Sequence, residues 1–151
     1  MITTTNLNQA RKEIQEYKKQ NRLVIVKAQT PEFNRKIIEN KDVDIITDLE
    51  LHNRKDNLKQ RDSGLNEVLC KLATKNNIKI GINLNEIIKL SKKEKTIVIA
   101  RIIQNITLCK RTKTKIIILN KEKYNKQELF SLLLTLGMHN KDIKQIFSKN
   151  N

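Results

Sequence analysis

Four short runs of branched apolar residues, each separated from the next by a stretch of helical periodicity, set the narrowest limits on this fold. The runs are Leu23–Val26, Val43–Ile46, Ile78–Asn83 and Lys115–Leu119. They are largely continuous rather than alternating apolar with polar, which is the pattern of strands covered on both faces. Ile2–Thr4 reads as a fifth, weaker strand. Between the strands lie helices with recognisable starts. Asn6 caps one that runs to Gln20, with Leu7, Ala10, Ile14 and Tyr17 on a single stripe. Pro31 opens a short helix with Phe33, Ile37 and Ile38 turned inward. Ser63 is read as the cap of a helix whose Leu65, Val68, Leu69 and Leu72 recur on one face, and a short helical turn spans Asn85–Leu90. Ser91 and Glu94 form a capping box for a long helix bearing Ile99, Ile102, Ile103 and Ile106. Asn125 with Glu128 starts the next, which ends near Leu136 before Gly137, and Asn140 begins a last one with Ile143, Ile146 and Phe147.

Strands alternating with helices predict an α/β fold of parallel βα repeats joined by right-handed crossovers. The 151 residues read as a single domain, 1–151. Four or five strands fall short of an eight-stranded barrel, which takes roughly 250 residues. Spacing alone does not separate an open sheet from part of a barrel. No apolar run approaches the roughly 18 residues that suggest a membrane span. The first residues lack a basic stretch followed by an apolar one, so no secretory signal is read and the cytoplasm is the expected compartment. Cys70 and Cys109 sit in apolar helical patterns and read as core-facing thiols, in preference to a disulfide or a metal role.

Charge narrows the choice of partner. Lys and Arg number 31 against 16 Asp and Glu, a net +15, and a polyanion is the natural counterpart. Lys, Ile and Asn are all abundant, which genome composition alone can produce, so local clusters weigh more than the total. One cluster, Arg54, Lys55, Lys59 and Arg61, lies in the charged loop Leu51–Asp62, just before Ser63-Gly64. A helix start there would add free N–H groups and a partial positive charge for a phosphate. A second cluster, Lys110, Arg111, Lys113 and Lys115, ends the long helix and enters the next strand. Of the five aromatic residues, Phe33, Phe130 and Phe147 lie on apolar stripes, so contact with phosphates and RNA shape is expected rather than base stacking.

Catalytic signatures are sparse. The sequence has no glycine-rich phosphate loop, no nucleophile elbow and no ligand-spaced histidines, with His52 and His139 alone. Asp48 and Glu50 stand at a strand end, where barrel enzymes place their chemistry, but basic residues follow at once. A structural or RNA-positioning role is favoured for them over catalysis.

The stretch VDIITDLEL, then HNRKDNLKQ, then RDSGLNEVLCKLA, from Val43 to Ala73, resembles the most distinctive region of archaeal ribonuclease P protein component 3. Upstream, FNRKIIE at Phe33–Glu39 is similar to that family's I-N-R-A-A-V-E; downstream, IKIGINL and NITLCKR match its following strand and long helix. The departures are a longer loop before Arg61, Leu49 in place of a proline, and Gly81 in place of a strand glutamate. Set against the family, the chain reads as a shortened member without the N-terminal strands. The resemblance implies a TIM-barrel-like fold of the polymerase-and-histidinol-phosphatase kind, here an incomplete barrel that a second copy or another chain would complete. It also implies a non-catalytic subunit that supports the ribonuclease P RNA in removing the 5′ leader of precursor tRNA, paired with component 2. Mg²⁺ would serve the RNA, with no cofactor held by the protein and precursor tRNA met only indirectly. Arg35, Arg61 and the Ser63-Gly64 turn are the first expected RNA contacts, followed by Arg54, Lys55, Lys59, Lys110, Arg111 and Lys113. A degenerate metal-dependent phosphoesterase using Asp48 and Glu50, or a scaffold that binds component 2 and scarcely touches RNA, are the competing readings.

Overall fold

In the computed structural model, which describes residues 1–56 and 61–148, the four apolar runs become one parallel sheet. Its strands are β1 (Ile25–Lys27), β2 (Ile45–Thr47), β3 (Lys79–Asn83) and β4 (Ile116–Leu119). The helices are α1 (Leu7–Lys19), α2 (Pro31–Glu39), α3 (Glu67–Lys75), α4 (Leu84–Lys89), α5 (Lys92–Thr112), α6 (Lys126–Thr135) and α7 (Asn140–Phe147).

The strand order is β1-β2-β3-β4, with Ile46 beside Val26 and Ile80, and Ile80 beside Ile116. Every crossover therefore moves one strand over in the same direction. That is barrel winding; a doubly wound sheet reverses direction at a switch point. The described strands do not close on themselves, so the architecture is a partial barrel. The fifth strand read at Ile2–Thr4 is a single bridge: Ile2 pairs parallel with Val26, accepting from Lys27 N–H and donating to Ile25 O.

Side chains on successive strand residues point to opposite faces. Val26, Ile46 and Ile80 pack into a core with α1, α2 and α3, while Ile82 and Ile118 pack into a second core with α5, α6 and α7. The other face carries Ile45, Thr47 and Gly81, and belongs to neither core. A Cβ on Gly81 would sit 3.0–3.2 Å from Ile45 and Thr47 side-chain atoms, so a larger residue there would press on both neighbours.

Most helix starts follow the local rules. Asn6, Thr30 and Asn125 accept backbone N–H groups of their first turns, and Ser91 with Glu94 closes a full capping box. Ser63 is a correction: it does not cap α3. Asn66 does, its Oδ1 accepting from Leu69 N–H at 2.8 Å. The chain at 62–65 is instead a turn in which Asp62 Oδ1 accepts from Gly64 N–H and Gly64 takes φ +79°. A Cβ there would lie 2.1 Å from the Leu49 carbonyl oxygen, so the turn packs on β2's exit only as glycine. The α3 stripe also shifts: Cys70 and Ala73 are buried while Val68 is 71% exposed. On α5 the buried positions are Val98, Arg101, Ile102, Asn105, Ile106 and Cys109, leaving Ile99 and Ile103 outside the core. Both cysteines are free and buried, and a hydrogen bond with Cys70 together with burial pushes the Cys109 thiol up.

Candidate nucleic-acid interface

The loop that leaves β2 begins with two carboxylates pulled inward. Asp48 takes a left-handed conformation, φ +64°, that turns its buried side chain toward Thr47 and Lys27. The Thr47 hydroxyl donates to Asp48 Oδ1 at 3.0 Å, and Lys27 Nζ lies 3.7 Å from Oδ2. Burial raises the Asp48 pKa against both partners. Glu50 is 0% exposed with neither carboxylate oxygen hydrogen-bonded among the described residues, and burial pushes its pKa up to about 8. At neutral pH it is mainly the uncharged acid.

Lys27 is the cation that faces Asp48, while Asp48 Oδ2 and both Glu50 oxygens have no hydrogen-bond partner among the described residues. Among the described residues no group of three or more His, Cys, Asp or Glu side chains is placed to hold a metal ion.

The rest of the loop is organised by Arg101, an α5 residue that is 4% exposed. Its Nη1 donates to Glu50 O at 3.1 Å and His52 O at 2.7 Å, and its Nη2 to Arg54 O at 2.7 Å. Nη2 and Nε also meet Asp56 Oδ1 at 3.1 and 3.3 Å. One planar guanidinium thus ties three carbonyls and a carboxylate of the loop to α5. Nearby, Asn105 Nδ2 donates to Ser63 O at 3.2 Å. His52 links the two ends of the loop: its Nδ1 accepts from Arg54 N–H at 3.2 Å and its Nε2 donates to Asp62 O at 2.9 Å. Burial, helped by Arg101 and Arg54, lowers the His52 pKa and favours this neutral form.

The loop's arginines are turned into the same network. Arg54 Nε donates to Asp62 Oδ2 at 2.7 Å, which holds that carboxyl at a pKa of about 2. Arg61 Nε lies 3.4 Å from Asp56 Oδ2, and Arg35 Nε 3.1 Å from Glu39 Oε1. Lys55 is exposed with no carboxylate within ion-pair distance among the described residues, and Lys59 lies outside the described residues. Ser63 is corrected a second time, because it is fully buried and its hydroxyl faces Leu65 O rather than solvent. Gly64 is only partly exposed, in a turn rather than at a helix N-terminus. Across the molecule, Lys110 Nζ donates to Gly137 O at 3.0 Å, Arg111 Nη2 lies 3.5 Å from Glu67 Oε2, and Lys113 is the left-handed C-cap of α5.

Arg101 was not among the residues singled out from sequence, although a signal existed. It lies on the stripe 98-101-102-105-106-109, where an arginine and an asparagine interrupt apolar residues at helical spacing.

Sheet winding defines a protein of the parallel βα-barrel class, here with buried carboxylates after β2 and a net charge of +15. The family model described as RNase P subunit p30 matches residues 1–151, and the chain belongs to that family. Ribonuclease P protein component 3 of Methanococcus vannielii is 29% identical over 117 residues, covering 78% of this chain and 48% of that protein. The Methanococcus maripaludis C7 protein of the same name is 28% identical over 117 residues, 78% of this chain and 47% of its own length. The chain thus spans about half the length of these curated relatives. Among solved structures, a chain of the cryo-EM structure of archaeal ribonuclease P with mature tRNA superposes with a TM-score of 0.76 at 23% identity. That match covers 96% of this chain and 62% of the other, and it shows a shared fold.

Proposed function

We propose that this chain is a non-catalytic protein subunit of ribonuclease P, binding and supporting the catalytic RNA that removes the 5′ leader from precursor tRNA. The observation that carries this reading is membership of the RNase P subunit p30 family along the whole chain. The net charge of +15 and the aromatic-poor surface suit it, because a protein that supports folded RNA works through phosphates and shape. Component 2 is the expected protein partner, Mg²⁺ serves the RNA, and the cytoplasm is the expected compartment. The phosphoesterase reading is less favoured because Lys27 stands 3.7 Å from the Asp48 carboxylate and burial pushes the Glu50 pKa up to about 8.

In this role Arg101 sets the shape of the loop and Lys55 faces outward from it. Arg35, Arg54, Arg61, Gly64, Lys59, Lys110, Arg111 and Lys113 remain candidates for RNA contact, the arginines through donors left over from their ion pairs. Precursor tRNA cleavage by ribonuclease P RNA with component 2, with and without this chain, tests the reading. A lower Mg²⁺ requirement or a higher rate on adding the chain is the expected result. No change in either, with no binding to component 2, would overturn it.

A further inference from the structure

β4 is the last strand of the sheet, and no described strand pairs with its outer edge. Beside that edge lies a concavity of about 730 Å³, bounded by the end of α5, the start of β4 and the face of α7. Six lysines line it: Lys79, Lys110, Lys113, Lys115, Lys121 and Lys141. Lys110, Lys113 and Lys115 belong to the second basic cluster of the sequence, and the fold brings Lys79, Lys121 and Lys141 to them. Asp142 is the one carboxylate among the lining residues. None of the six lysines lies within ion-pair distance of a carboxylate among the described residues, in contrast to the arginines of the charged loop. Lys110 and Lys121 do touch backbone oxygens of Gly137 and Ile146, which orients two ammonium groups and leaves further N–H donors on each.

The floor of the concavity is apolar, with Ile106, Ile117 and Met138 beneath the lysines. Charges beside such a floor are less screened than charges surrounded by water. Ammonium groups are point charges without the planar fork that reads a base edge, and His139 is the one ring among the lining residues, with no Phe, Tyr or Trp there. The chemistry therefore suits regularly repeating phosphates. A polypeptide would need nearly every residue acidic to match the same charge density, whereas an RNA strand carries one phosphate per nucleotide.

We propose that this lysine-lined concavity at the open β4 edge is an RNA backbone site, separate from the loop after β2. The proposal rests on the reading of the chain as an RNA-binding ribonuclease P subunit. The two places lie on different strands: the concavity runs along β4, from Lys79 and Lys115 at strand starts to Lys121 beyond the end of β4, whereas the charged loop follows the end of β2. RNA held at both would run along the outside of the domain rather than end at one face.

The test compares two triple variants of the full chain with equal charge loss. One is Lys113→Gln, Lys115→Gln, Lys141→Gln in the concavity; the other is Lys92→Gln, Lys93→Gln, Lys95→Gln on the first turn of α5. Binding to a labelled ribonuclease P RNA transcript is measured across a salt series, with polyglutamate as the competing acidic polypeptide. The concavity variant should bind at least about tenfold more weakly, with a log–log salt slope smaller by about 2–3. The α5 variant should stay within about threefold of the parent and keep most of its slope. Equal losses in both would overturn the site and leave only total charge. A concavity variant that binds RNA as the parent does but loses polyglutamate would assign the surface to an acidic protein instead. A parent chain with no salt-dependent RNA binding would overturn the RNA-binding reading itself. Matching circular dichroism and melting temperatures for the three proteins exclude unfolding as the cause.

Discussion

The loop after β2 and the concavity beside β4 both draw positive charge together, yet they hold it differently. In the loop, Arg54 and Arg61 face Asp62 and Asp56, and Arg101 fastens the backbone from beneath. In the concavity, lysines from separate elements converge on an apolar floor with Asp142 as the lone lining carboxylate. Paired arginines fix a shape, whereas the concavity lysines have no carboxylate partner among the described residues. Two basic runs that look alike in the sequence are therefore held differently by the fold. The first lies in the loop, where the carboxylates Asp56 and Asp62 stand a few residues from the cations they pair with, and the second supplies Lys110, Lys113 and Lys115 to the concavity.

This contrast can be broken or sharpened by substitution. The largest effect is expected at Arg101. Replacing it with alanine leaves the carbonyls of Glu50, His52 and Arg54 and the Asp56 carboxylate without their shared donor, at a cost of about 3–5 kcal/mol. Urea unfolding measures this, and limited proteolysis should find new cleavage between residues 51 and 62. A loop that stays protected in the variant would break the idea that Arg101 holds it.

Glu50→Gln comes next and acts through pH. The folded pKa of about 8 lies above the ordinary value of 4.5. The parent's contribution from the neutral acid is thus full below pH 4.5 and lost as pH rises through 8. Each tenfold difference in proton affinity between the folded and unfolded chain corresponds to about 1.4 kcal/mol. The glutamine variant should therefore show a flatter stability profile between about pH 5 and 8 and gain relative stability at the alkaline end. Identical profiles for the two proteins would show that Glu50 is not buried as the acid.

Arg54→Gln should cost about 1 kcal/mol at neutral pH, since Arg54 and Asp62 remain partly solvated. The Asp62 carboxyl is depressed to about 2, so its contribution is present above its ordinary pKa of 3.8 and lost as pH falls through 2. The variant should therefore lose less stability than the parent on acidification across that window. The smallest effect is expected for Lys55→Gln, with no measurable change in stability and a salt slope for RNA binding lower by less than about one. A larger drop there than in the concavity variant would reverse the ranking of the two regions.

Much of the fold was legible because it is written locally. The strands carry continuous branched apolar runs, and Asn6, Ser91 and Asn125 announce helix starts that depend only on residues two or three further on. Ser63 misled for a related reason. Its turn is decided by Gly64 pressed against the Leu49 carbonyl, a contact across the chain that cap rules do not include. On α5, five isoleucines between residues 97 and 106 blur the helical phase, and only the polar pair Arg101 and Asn105 marks the buried side. Spacing left the strand order open because short parallel strands carry no sign of which neighbour they take, and it was the family resemblance that pointed to barrel winding. The concavity was legible in part: Lys110, Lys113 and Lys115 stand together in the sequence, whereas Lys79, Lys121 and Lys141 join them only when the fold is assembled.

The one-directional strand order also bears on how the chain is made. Each strand pairs with the strand synthesised just before it: residue 25 with 45, 46 with 80, and 80 with 116. No pairing has to wait for a distant segment, so loop-closure entropy stays modest at every step. A growing chain can dock each βα unit onto the last as it leaves the ribosome. Assembly can then proceed from the N-terminus, and the lysine-lined concavity takes shape only once α7 docks beside β4.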